Sequence, residues 1–189
     1  MAKLNIIQLI AIVAFIAAVP IAAVLLTGHT AIAQSGPEAA QFNALSQATT
    51  DQCAYLGDKT AIYNYVDSQA NDTYFQGSCC TPMVYAHYVQ QIAGLKSYSN
   101  ISAVPLDPYN VSVGLVKRLL GYYDNITLDQ SQNATFDQAA TLTTDKSWCC
   151  CQCWAWYAHA GLAKYMIKNY GYNVSQVVAL INLEDCCGG

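Results

Sequence analysis

Residues 148–171 read WCCCQCWAWYAHAGLAKYMIKNYG, and this stretch decides the fold. It is the longest helix-compatible run beyond the N-terminal apolar segment, and it ends at Gly171 with Lys168 in what would be the last turn. That is the pattern of a helix running from Trp148 to Tyr170. Outward from it, other helix starts recur. Pro37 opens a segment expected to run to about Tyr55 with Gly57 as its stop, and Asp58 caps Lys59 to about Ala70. Thr81-Pro82 opens a segment to about Tyr98 with Val84, Tyr88, Ile92 and Leu95 at helical spacing. Asp107-Pro108 repeats that signal ahead of Val113, Val116, Leu119 and Leu120. A loop is expected from about Asp124 to Gln132, then a short helix over 134–142, and Asn173 caps a last helix through Leu183. No alternating strand pattern of useful length occurs, so the sequence predicts an all-α, disulfide-stapled helical bundle.

The four cysteines at the head of the quoted stretch belong to a set of nine. They fall into groups: Cys53 alone, Cys79-Cys80, Cys149-Cys150-Cys151 with Cys153, and Cys186-Cys187. Adjacent cysteines rarely bond one another, because the small ring is strained. The economical arrangement has the cluster at 149–153 accept the pairs at 79–80 and 186–187, tying three segments together; the connectivity stays open. Nine is odd, so one thiol is left over, and Cys53 is the simplest candidate, free or joined to another copy. Cys150-x-x-Cys153 has redox spacing, but no βαβ pattern surrounds it.

A disulfide framework implies an oxidising compartment, and two further features agree. From Ile6 to Leu26 the chain is apolar apart from Gln8 and Pro20. That length suits a membrane anchor, whereas Ala31-Ile32-Ala33 before Gln34 suits cleavage of a signal peptide. Residues 1–33 are therefore read as signal peptide or anchor helix, and 34–189 as one extracellular helical domain. Six Asn-x-Ser/Thr triplets (Asn71, Asn100, Asn110, Asn125, Asn133 and Asn173) are glycan acceptors on the outer side of a membrane. Charged residues make up 11% of the chain and the net charge is −4, too little basic charge for nucleic acid to be a partner.

Residues 79–98 echo 151–170. Cys79 falls on Cys151, Tyr85-Ala86-His87 on Tyr157-Ala158-His159, and Tyr98 on Tyr170; further on, Tyr109-Asn110-Val111-Ser112 matches Tyr172-Asn173-Val174-Ser175. Two related helix-turn-helix units, 79–120 and 151–183, follow from that reading. Cysteine and histidine recur eight residues apart, about 12 Å along one helix, so one pair alone does not hold an ion. His87 and His159 meeting across an interface are the metal candidates, for zinc, copper or haem; the plainer reading makes them hydrogen-bonded core residues, and no cofactor is predicted. Covalent haem is excluded because no Cys-x-x-Cys-His occurs.

Cys153-Trp154-Ala155-Trp156-Tyr157-Ala158 resembles the segment of papain-like cysteine proteases in which the nucleophilic cysteine opens a long helix. The resemblance spans six to ten residues. Only 36 residues follow Cys153, and the histidine and asparagine of that family have no counterparts downstream. No catalytic residue is carried over. Asp124, Asp129, Asp137 and Asp145 are read as solvated surface.

The expectation is thus an exported, N-glycosylated, disulfide-rich cell-surface protein with a structural or assembly role, such as an archaeal-type surface filament or sheath subunit, self-associating or in a surface complex. The alternative is a membrane-anchored accessory subunit of a surface oxidoreductase with a Cys/His metal site; a papain-like hydrolase ranks third.

Overall fold

In the computed structural model, residues 36–48 and 55–188 are described, all within the unit Gln34–Gly189. The export segment 1–33 and Cys53 lie outside the described residues. Helix α1 (Pro37–Leu45) starts with proline at its first turn. The Asp58 carboxylate caps α2 (Lys59–Ser68) by accepting from the Ala61 N–H at 3.0 Å. Strand β1 (Tyr74–Gln76) precedes α3 (Tyr85–Leu95), which tightens into a 3₁₀ turn over Lys96–Tyr98. Strand β2 (Asn110–Ser112) leads straight into α4 (Val113–Asn125), capped by the Ser112 hydroxyl. Reciprocal capping boxes, Asp129 with Gln132 and Asn173 with Gln176, open α5 (Gln130–Leu142) and α7 (Val174–Leu183). Between them, α6 (Trp154–Tyr170) stops at Gly171, whose φ of 65° is the left-handed end a glycine supplies without strain.

The described chain is thus mostly helical, as the sequence predicts, with several boundaries corrected. Helix α1 ends at Leu45, well short of Tyr55. Helix α3 begins at Tyr85, because the Thr81 hydroxyl expected to cap it donates instead to the Cys187 carbonyl at 2.7 Å. Asp107-Pro108 starts a turn and not a helix: the Asp107 carboxylate accepts from the Tyr109 N–H at 3.0 Å, and the chain then extends as β2. That strand pairs antiparallel with β1, setting Phe75 opposite Val111. Three residues per strand are too few to show alternation in sequence, and β2 places Asn110 in a strand where a helix start was expected. The loop read over 124–132 shrinks to 126–129. Residues 148–153, expected within the long helix, form an irregular lead-in to α6.

Helix α6 is the centre of the core. Eleven of its 17 residues are buried, on all sides and not along one stripe, as expected of a helix surrounded by others. Small residues Ala155, Ala158, Ala160, Gly161 and Ala163 let neighbours approach closely. The largest contact is with α4, and at the crossing a Cβ on Gly161 would overlap the Leu119 carbonyl and press on the Tyr123 backbone. Trp154, in the first turn, stacks on Phe75 of β1 with ring centroids 4.6 Å apart, tying the small sheet to the helical core.

The counterpart pairs of the sequence echo, α4 with α6 and α3 with α7, are both in contact, the first far more extensively. Basic side chains serve the helix ends. Lys117 donates to the carbonyls of Asp67 and Gln69 at the C-terminal end of α2, and Lys164 to the Tyr123 carbonyl near the end of α4, where cations complement the helix dipole. Lys59 pairs with Asp124 at 2.7 Å and lies over the rings of Tyr63 and Tyr123.

Since the atoms facing Gly161 are backbone and cannot turn away, Gly161→Ala is expected to destabilise the fold by roughly 1–3 kcal/mol in denaturant unfolding. Gly121→Ala, on the open side of α4 where a new Cβ would lie 3.9 Å from Asn125 Nδ2, should be neutral or gain up to about 1 kcal/mol of helix propensity.

Candidate functional site: a cysteine cluster beside an open pocket

Three segments that lack regular structure are brought together: 78–84 ahead of α3, 147–153 ahead of α6, and 184–188 after α7. Backbone pairing aligns the first with the last. The Cys79 N–H donates to the Cys186 carbonyl at 3.1 Å, and the Thr81 N–H to the Cys187 carbonyl at 2.8 Å. The tail is clamped from below as well. The buried Gln91 amide donates to the carbonyls of Leu183 (3.1 Å) and Asp185 (2.7 Å), and the Tyr109 hydroxyl to that of Gly188 (3.1 Å). The third segment is folded back along α6. Trp156 Nε1 donates to the Ser147 hydroxyl at 2.9 Å, and His159 Nδ1 lies 2.7 Å from the Trp148 carbonyl. A carbonyl can only accept, so that ring nitrogen carries the hydrogen.

The result is that Cys79, Cys80, Cys149, Cys150, Cys151, Cys153, Cys186 and Cys187 form one cluster. Among the described residues, no disulfide bond joins one of these eight cysteines to another. Their sulfurs are nevertheless close: Cys150 lies 2.8 Å from Cys80 and 2.7 Å from Cys187. Cys187 is 3.3 Å from Cys149 and 3.7 Å from Cys79, and Cys80 is 3.4 Å from Cys79 and 3.8 Å from Cys151. Three sets of four cysteines, all containing Cys79, have every sulfur within 4.8 Å of the others.

Cys80, Cys150 and Cys187 open onto a pocket of about 310 Å³ that is also lined by His87, Thr144, Asp145 and Asp185. Asp145, Asp185 and Cys187 bring three donor atoms within 4.8 Å of one another.

Burial dominates the electrostatics here. It raises Asp185 to about 6, and it raises Asp145, which also faces the Cys187 sulfur. Glu184, the residue before Asp185, is fully enclosed; burial holds its pKa well above 4.5, with the Asp107 charge adding in the same direction. Among the described residues, one of its carboxyl oxygens and the Gln91 side-chain oxygen have no hydrogen-bond partner. The Cys153 pKa is lowered, by contacts from Cys149, Cys151 and Cys79 and by the Ala155 N–H at the start of α6.

Of the residues singled out in the sequence, the eight cysteines named for pairing are brought together, and His87 joins them on the pocket wall. His159 is buried and turned to Trp148, so the two histidines do not share a role. Cys153 does open a long helix, but it is fully buried among other cysteines. Asn71, Asn100, Asn125, Asn133 and Asn173 are exposed; Asn110 is half-buried, and its side-chain oxygen accepts from Gln76 at 3.0 Å. Asp145 was read as solvated surface, whereas it lines the pocket; Gln91, Glu184 and Asp185 carried no sequence signal beyond two acids set directly before Cys186-Cys187. Comparison with known protein families, with curated proteins and with solved structures finds no match to this chain.

Because the folded-state pKa of Glu184 is raised, the folded protein keeps a proton that the unfolded chain releases. Its contribution is fully present below about pH 4.5 and is lost as pH rises toward the folded value. Glu184→Gln is therefore expected to make stability fall less steeply above pH 4.5, by up to about 1.4 kcal/mol per pH unit. Unfolding midpoints measured from pH 4 to 8 check this; identical slopes in both proteins would contradict it.

Proposed function

We propose that this chain is an exported cell-surface glycoprotein whose helical domain is stapled by disulfides at the cysteine cluster, with a structural or assembly role. The observation that carries the reading is the convergence of eight cysteines from three separate segments, six of whose sulfurs lie 2.7 to 3.8 Å from a neighbouring sulfur. In an oxidising compartment such sulfurs pair, each bond forming as two thiols give up two electrons and two protons to the compartment's oxidant. The exposure of five of six acceptor triplets supports the glycan part of the reading. So does the scarcity of free surface charge, since four of the basic side chains are already spent on Asp124 or on backbone carbonyls. Sugar supplies the solubility that charge does not. In this reading the staple replaces the stabilisation a larger core would bring, and the surface presents glycan and tyrosine to neighbouring molecules.

A second reading, the metal-holding accessory subunit, is favoured by the sets of four cysteines. Tetrahedral zinc with bonds of about 2.3 Å holds its sulfurs about 3.8 Å apart. Cys79–Cys187 and Cys80–Cys151 match that edge. Cys150 with Cys80 and Cys150 with Cys187 fall far below it, toward the covalent distance of about 2.05 Å, which is why pairing ranks first. Nothing comparable supports a hydrolase: Cys153 is inaccessible and His159 Nδ1 is committed to a backbone carbonyl.

The two readings differ in what removes stability. Reduction with a phosphine is expected to lower the unfolding midpoint sharply, at about 2–5 kcal/mol per bond lost, while a strong chelator leaves it unchanged. Loss of stability on chelation with release of stoichiometric metal would reverse the ranking. Intact mass before and after deglycosylation should show at least three of the six triplets occupied, and fewer would defeat the glycan-coat part.

A further inference from the structure

Between the end of α5 and the first turns of α7 runs an open groove of about 560 Å³ lined by Leu142, Asn173, Val174, Ser175, Val178 and Ala179. Leu142 is 56% exposed, and no charged side chain lines the groove. An uncovered apolar surface of this kind on a glycoprotein calls for an occupant. The only polar side chains in its lining are Asn173 and Ser175, the two ends of a single acceptor triplet. A smaller groove between α1 and α3, about 350 Å³, is edged instead by Glu38 and Asp107 and contains no triplet.

We propose that the glycan on Asn173 lies along the α5–α7 groove and covers it, which rests on the glycoprotein reading above. The sugar rings would set their C–H faces on Val174, Val178 and Leu142 and keep their hydroxyls in water, much as amphipathic side chains do. The local geometry accommodates the linkage. Asn173 caps α7 through its oxygen, which accepts from the Gln176 N–H at 3.1 Å and from the Ser175 hydroxyl at 2.8 Å. Glycosylation uses the nitrogen and leaves that oxygen in place. The bond from Nδ2 to the anomeric carbon forms as the carbon–oxygen bond to a phosphate-linked lipid donor breaks; the phosphate leaves and Nδ2 gives up one proton. The cap then holds the first sugar at the rim of the groove. At Asn125 and Asn133 the nitrogen itself donates, to the carbonyls of Gly121 and Leu128, so those two sites lack this arrangement.

The test uses the full chain from a host that N-glycosylates, as wild type, Ser175→Ala and Ser102→Ala. Ser175→Ala removes the triplet yet keeps Asn173 as the cap; Ser102→Ala removes the Asn100 triplet as a control. Glycopeptide mass spectrometry reads occupancy, fluorescence of an anilinonaphthalene sulfonate dye reads exposed apolar surface, and sedimentation reads self-association. The expected result is full occupancy of Asn173 in wild type, several-fold greater dye binding with concentration-dependent self-association in Ser175→Ala, and wild-type behaviour in Ser102→Ala. Adding Val178→Asp to Ser175→Ala should return dye binding to the wild-type level. If Asn173 is occupied and Ser175→Ala binds dye like wild type, the covering role is overturned while the glycoprotein reading stands; if Asn173 is bare in wild type, both fall at this site.

Discussion

The fold depends on the capture of its C-terminal tail. Residues 184–188 have no regular structure, yet they and Leu183, the last residue of α7, receive hydrogen bonds from Gln91, Tyr109, Cys79 and Thr81, on segments distant in sequence. A tail held in this way carries Cys186 and Cys187 to the lead-ins of α3 and α6 together. Gln91 and Tyr109 are buried and Cys79 is partly so, and an unpaired partner there would cost about 1–3 kcal/mol. Placement of the tail is therefore cooperative: the carbonyls of Leu183, Asp185, Cys186, Cys187 and Gly188 are satisfied as one set. The cost of that placement is also visible in Glu184, whose carboxyl the clamp fully encloses, raising its pKa by burial, with one oxygen that has no hydrogen-bond partner among the described residues.

Sulfur chemistry then rests on backbone chemistry. The order of events matters for a cluster of eight, where the number of ways to pair is large. In the proposed disulfide framework, the hydrogen bonds that align 79–81 with 186–187, and that fold Ser147 and Trp148 back onto α6, limit the neighbours available to each sulfur. Helix α6 supplies the platform, and Gly161 lets α4 come close enough to seal its other side.

The helical character, the caps at Asp58 and Asn173, and the stop at Gly171 were legible in the sequence because each is a local effect of a side chain on its own backbone. The misread boundaries share one cause: a local signal was outbid by a distant partner. Thr81-Pro82 is a sound helix start, but the Thr81 hydroxyl finds the Cys187 carbonyl; Asp107-Pro108 is another, but Asp107 turns the chain into β2, where Val111 meets Phe75. The lead-in 148–153 is pulled out of the helix by the bond between His159 and Trp148. At the site, cysteine spacing was enough to anticipate which groups meet, since adjacent cysteines exclude each other as partners. Nothing in the sequence separated His87, on the pocket wall, from His159, in the core, because their local sequences are the same Tyr-Ala-His.

The account turns on whether the three segments are covalently joined. Proteolysis of the native protein under non-reducing, thiol-blocking conditions, followed by mass spectrometry, reads this directly. The account predicts that peptides carrying Cys79-Cys80, Cys149–Cys153 and Cys186-Cys187 are recovered as one linked species that separates only on reduction. Recovery of these peptides as individually alkylated chains would contradict it.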